Sequence, residues 1–188
     1  MTAAPAPSPA QRLRRELLRA ALLAALAVAA AWAWRHPWAQ RLRVGWELAR
    51  APAPTALHMP VEGVDPRRVA ATFGAPRGRD RQHAGVDIFA KRGTPVVAAT
   101  RGIVVAIADR GLGGRQVWVL GPARQRHYYA HLETWAPGLQ VGDLVEPGDP
   151  LGAVGDSGNA RGTPPHLHYG IYAEGGAYDP LPLLRAGR

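Results

Sequence analysis

The sequence predicts a mainly β domain, an antiparallel sheet or sandwich, preceded by a hydrophobic N-terminal helix. Three observations predict it. The 188 residues allow one domain plus an extension. The 22 Gly and 18 Pro fall mostly after Ala51, where they separate short apolar runs with no helix-length periodic segment between them. Ahead of that region, Ala20 to Trp34 form an uncharged stretch between arginine-rich flanks.

The N-terminal stretch comes first. At about 1.5 Å per residue it is short for a hydrocarbon core of roughly 30 Å. Leu17 and Leu18, with Arg19 snorkelling and Trp32, Trp34 and Trp38 at an interface, lengthen it to a marginal span. A signal-anchor helix, a cleaved signal peptide with the small-x-small site Ala31-Trp32-Ala33, and a soluble helix are all compatible with it. The first two place the rest of the chain outside the cytoplasm. The predicted organisation is a signal-anchor or signal peptide over residues 1–35, a short helix and Pro/Ala linker over 36–56, and a folded domain over 57–188.

Within that domain, strands are predicted at residues 95–100, 102–109, 116–120, 125–131, 141–145, 150–154 and 166–173, with a glycine-rich turn at 111–114 and a loop entering a strand near Ile88. Charge narrows the function classes. Residues 1–50 carry eight Arg against two Glu, whereas residues 51–188 carry fifteen Lys and Arg against twelve Asp and Glu. The basic excess therefore flanks the apolar stretch, as in membrane targeting, and excludes a nucleic-acid-reading face on the domain. With no Cys, a metal would have to be held by His, Asp or Glu.

The histidines supply such donors. His83 and Asp87 lie four apart around Gly85. His166 and His168 lie two apart in a predicted strand, so both rings share one face while Leu167 faces the core. His131 ends the run Tyr128-Tyr129-Ala130-His131. Tyr129 shares strand parity with His131, which makes it a candidate neighbour of the site. His127 shares that parity too and reads as a groove-lining or solvated residue. Each pattern alone is weak, because a surface His beside an unrelated Asp is commonplace.

Together, His83-Ala84-Gly85-Val86-Asp87-Ile88, Gly93-Thr94-Pro95-Val96, Tyr129-Ala130-His131-Leu132, Val141-Gly142-Asp143-Leu144-Val145 and His166-Leu167-His168 resemble the lysostaphin-like, LytM-type zinc metallopeptidases of family M23. The resemblance runs from about Phe73 to Pro180. It implies a LytM-like, barrel-sandwich hybrid fold. It also implies Zn2+ held by His83, Asp87 and His168, with His131 and His166 as catalytic groups that handle protons or steady the oxyanion. The expected activity is endopeptidase cleavage of peptide cross-links in bacterial peptidoglycan, in the periplasm or cell envelope, with the N-terminal helix on the inner membrane. The alternative is a non-catalytic, wall-associated scaffold or activator of other hydrolases. The sequence leaves open the bond cut, the proton-taking histidine and any regulatory protein partner.

Overall fold

The structure, a computed structural model, describes residues 8–78 and 80–187. Residues 1–7, part of the predicted targeting segment, lie outside the described residues. The chain divides into two compact units, the first ending at Leu42 and the second spanning Arg43–Arg188.

Helix α1, Pro9–Arg35, begins with a capping box in which Ser8 and Gln11 satisfy each other's backbone N–H groups. None of its residues is buried, and by length and composition it is apolar enough to cross a membrane. Helix α2 spans Pro37–Arg50. In its second half Val44 and Leu48 are buried, Gly45 faces Ile103, and Glu47 pairs with Arg101 at 3.2 Å. This half is therefore packed on the domain, ahead of the Pro/Ala segment.

Among the described residues ten antiparallel strands form two sheets: β1 Val86–Phe89, β2 Pro95–Val97, β3 Gly102–Arg110, β4 Gly114–Leu120, β5 Arg126–Ala130, β6 Leu132–Trp135, β7 Leu144–Val145, β8 Pro150–Val154, β9 His166–Ala173 and β10 Gly176–Tyr178. The larger sheet runs β1-β9-β5-β4-β3-β7, with β10 paired to the second half of β9; the smaller runs β2-β8-β6. A short helix α3, Leu181–Ala186, closes the chain and buries Leu181 and Leu184. All the predicted strands have counterparts, some shorter. The expected run 125–131 ends as a strand at Ala130, because His131 adopts φ 63° and the chain passes from β5 in one sheet to β6, outside the expected run, in the other.

Period-two alternation builds the core. Val117 and Val119 of β4, Tyr129 of β5, and Leu167, Tyr169 and Ile171 of β9 point to one face of the larger sheet. They join Val96, Leu132, Leu151 and Val154 of the smaller sheet in a single apolar cluster. The opposite face of β4, β5 and β9 is left for Trp118, Tyr128, His166, His168 and Tyr172, which line a groove.

The core face also carries polar groups. The Tyr129 hydroxyl accepts from the Ala99 amide at 2.9 Å, and the Tyr169 hydroxyl shares a hydrogen bond of 2.7 Å with His127 Nδ1. His127 is completely buried, contrary to its reading as a solvated or groove residue, because its strand parity turns it inward with Tyr129. Burial lowers its pKa to about 4.

That neutral histidine sets a pH dependence. Its folded pKa lies below the unfolded value, so its contribution to stability is complete above about pH 6.5 and declines as pH falls towards 4. The loss should be on the order of 3 kcal/mol. Denaturant titrations at pH 7 and pH 4 measure it; a His127→Gln variant should show a smaller difference between the two pH values than the parent. Equal differences would contradict the assignment.

Candidate metal centre

The register of β1 against β9 brings the first two groups together. Asp87 stands directly opposite His168. That close approach requires Gly85, because a Cβ there would lie 2.4 Å from the Tyr169 carbonyl oxygen. His83 arrives from the turn ahead of β1, fixed by its amide on the Ala75 carbonyl at 2.9 Å and by the Pro76–Gln82 bridge.

Three donor atoms converge. His83 Nε2 lies 2.8 Å from His168 Nδ1 and 3.0 Å from Asp87 Oδ1, and His168 Nδ1 lies 3.2 Å from the same oxygen. A tetrahedral cation with arms of 2.0–2.1 Å needs donor separations of about 3.3–3.4 Å. The triangle is therefore a few tenths of an ångström from the required size. Two imidazole nitrogens and one carboxylate oxygen suit a first-row divalent ion, and three protein donors leave a position open.

Electrostatics favours the same use. Burial would raise the Asp87 pKa, but hydrogen bonds with His168 and His83, and one from Arg77, outweigh it and hold the carboxyl well below its usual range. Burial lowers the His168 pKa, opposed by Asp87. The result is an ionised carboxylate beside a neutral imidazole, the protonation state a metal ligand needs.

Two further imidazoles face the groove. His166 Nε2 lies 4.0 Å from Asp87 Oδ1. His131 lies with its ring centroid 5.0 Å from that of His166 and 5.9 Å from that of His168. Three of the four rings donate Nδ1–H to a backbone carbonyl, which can only accept: His83 to Thr72 at 2.8 Å, His131 to Ser157 at 2.9 Å and His166 to Pro164 at 2.9 Å. Each bond fixes the tautomer and leaves Nε2 with a lone pair. Burial lowers the His131 pKa to about 4, against the raising effect of the Ser157 carbonyl. The groove they share encloses about 410 Å³.

All five residues singled out as ligands or catalytic groups thus lie in one groove. Tyr129 does not. It is fully buried on the opposite face of β5, because the positive φ of His131 breaks the alternation and swings its imidazole to the face of Tyr128. Tyr128 is the tyrosine beside the site, its ring set edge-on to His168 with centroids 5.8 Å apart. Sequence reasoning also missed Arg77, whose guanidinium bonds Asp87 Oδ2. Its place among several arginines in a turn gives no signal of that contact. Asp179 accepts the Leu181 amide at 2.9 Å at the start of α3.

The Ser157 carbonyl that holds His131 belongs to a tight interlock. Gly114 and Gly158 meet back to back at φ 59° and 70°, and the Arg115 amide donates to Ser157 Oγ at 3.0 Å. Arg92 joins Asp156 at 2.7 Å and also bonds Glu133, tying the same loop to β6.

Comparison with known proteins is consistent with this geometry. The sequence model of Peptidase family M23 matches residues 81–180. The L-Ala--D-Glu endopeptidase of Bacillus subtilis is 40% identical over 127 residues, covering 62% of this chain and 39% of the relative. The peptidoglycan DD-endopeptidase ShyC of Vibrio cholerae is 31% identical over 117 residues, covering 60% and 26%. The chain thus spans well under half the length of either. Among solved structures, the catalytic domain of lysostaphin from Staphylococcus simulans superposes with a TM-score of 0.56 at 32% identity, covering 63% of this chain and 92% of that one.

The interlock yields a test. A Cβ on Gly158 would lie 2.3 Å from the Leu112 carbonyl oxygen and 2.4 Å from the Gly114 nitrogen, at a backbone angle that disfavours any side chain. Gly158→Ala should destabilise the domain by about 2 kcal/mol, within the usual range for overpacking. That corresponds to a melting temperature lower by about 4–8 °C in calorimetry. An unchanged melting temperature would show that the loop yields freely and does not fix His131.

Proposed function

The chain belongs to peptidase family M23, and on that premise we propose that it is a zinc-dependent endopeptidase hydrolysing peptide cross-links of bacterial peptidoglycan. It would work outside the cytoplasm, held at the inner membrane by its N-terminal apolar helix. The observation that supports the activity most directly is the convergence of three donor atoms within 3.2 Å of one another, beside two more imidazoles in a single groove.

In this reading His83 Nε2, Asp87 Oδ1 and His168 Nδ1 hold Zn2+. When bound, zinc supplies Lewis-acid polarisation of the scissile carbonyl and a lowered pKa for the attacking water. The remaining work falls to the chain. His131 and His166 each keep Nδ1–H committed to a carbonyl and present Nε2 to the groove. One takes the proton of the attacking water at Nε2. The other, once charged by a proton taken up from solvent at Nε2, steadies the developing oxyanion or delivers that proton to the leaving amine. A His131 held neutral is ready to accept a proton at physiological pH without first losing one.

The direct test is release of peptide fragments from purified peptidoglycan by the full chain in detergent, with and without a zinc chelator, read by mass spectrometry. Chelator-sensitive release is expected, and the fragment masses name the bond. A folded, zinc-loaded chain that releases nothing would overturn the proposal in favour of a wall-associated scaffold. Two variants separate the residue roles. His168→Ala should lose stoichiometric zinc, since three protein donors become two. His131→Ala should retain zinc while cleavage slows by roughly 10²–10⁴-fold, the range for a proton-transferring group. Zinc analysis of both proteins decides, and loss of metal from the His131 variant would make that residue a ligand.

A further inference from the structure

The two oxygens of Asp87 are in different environments. Oδ1 lies inside the donor triangle, 3.0 Å from His83 Nε2 and 3.2 Å from His168 Nδ1. Oδ2 points the other way and receives the Arg77 guanidinium. Among the described residues Arg77 is the only cationic Lys or Arg side chain that touches the triangle. Its own position is set by the backbone. The Arg77 amide donates to the Arg81 carbonyl at 2.8 Å, and the Pro76–Gln82 bridge closes the turn on the groove rim. The carboxylate is also anchored at its base, where the Asp87 amide donates to Thr72 Oγ1 at 3.2 Å.

We propose that Arg77 is a positioning residue that keeps Asp87 a one-oxygen ligand, so that the open coordination position stays free for the reacting groups. The inference rests on the reading that His83, Asp87 and His168 hold the metal. A carboxylate can bind a cation through one oxygen or both. Here the second oxygen is already engaged in a charge-assisted hydrogen bond, which is about twice as strong as a neutral one. Swinging Oδ2 onto the metal would break that hydrogen bond and leave the part-exposed guanidinium to water. Arginine does not lose its proton in proteins, so the restraint holds at every working pH. It has a cost of known sign: a fixed positive charge beside the site opposes cation binding. An ordinary contact that merely orients a ligand would instead strengthen metal binding. The two roles are therefore separable by measurement.

The test uses the full chain in detergent loaded with Co2+, whose visible bands weaken when a fifth ligand joins a tetrahedral site. Parent, Arg77→Ala and Arg77→Lys are compared, and zinc affinity is measured by competition with a chromogenic chelator. Arg77→Ala should show weaker, shifted bands, zinc affinity equal to or tighter than the parent, and wall cleavage reduced by about 10–100-fold. Arg77→Lys, which keeps a donor and a charge, should restore the parent spectrum. An alanine variant whose spectrum superimposes on the parent would overturn the inference. So would unchanged bands with zinc affinity weakened by about 10–100-fold, the mark of an orienting contact alone. A parent chain that takes up no cobalt would overturn the metal reading itself, a result distinct from either of these.

Discussion

The pairing of β1 with β9 is the constraint on which the rest of the site depends. Antiparallel register sets Asp87 across from His168, and period-two alternation sets His166 on the same face. A slip of one residue would turn Asp87 into the core and Ile88 into the groove. The register is held from both sides of the strand. Leu167, Tyr169 and Ile171 are locked in the apolar cluster, and Gly85 permits an approach that any side chain would block. The chemistry of the groove therefore draws its precision from the packing beneath it.

A second layer of order comes from backbone carbonyls. Thr72, Ser157 and Pro164 each receive one imidazole N–H, so three rings have their tautomer and orientation set by main-chain groups. Main-chain acceptors are less mobile than side chains and do not titrate. Ser157 and Pro164 lie in the one loop between β8 and β9, and Thr72 in the segment ahead of β1; the β8–β9 loop is in turn secured by the Gly114–Gly158 interlock and by the contacts of Arg92 and Arg115. The surface ion pairs contribute little to stability by themselves. Their effect is to keep loop carbonyls in place.

Much of this was legible in the sequence, for identifiable reasons. Strand alternation is a local property, so the shared face of His166 and His168 followed from their spacing. The glycine- and proline-punctuated runs marked the strands. Long-range and conformational features were not legible. Tyr129 was misplaced because alternation fails at His131, and nothing in a histidine codon announces a left-handed backbone angle. His127 was misplaced because a polar residue at a strand start gave no sign that its ring would be enclosed and bonded to Tyr169, far away in sequence. Arg77 escaped notice because its contact joins a turn to a strand. The strand β6 was not foreseen because the chain changes sheets without a glycine or proline to mark the passage.

The left-handed turn at His131 has a mechanical consequence. Asp87 and His168 ride on neighbouring strands of one sheet, and move as one body with it. His131 sits at the seam, the last residue before the chain crosses to β6 in the other sheet. It is pinned there from two sides, its amide on the Gly113 carbonyl at 2.9 Å and its ring on the Ser157 carbonyl at 2.9 Å. The place of this imidazole is thus set by main-chain groups of two loops at the seam, while the donors it faces are set by the pairing of two strands.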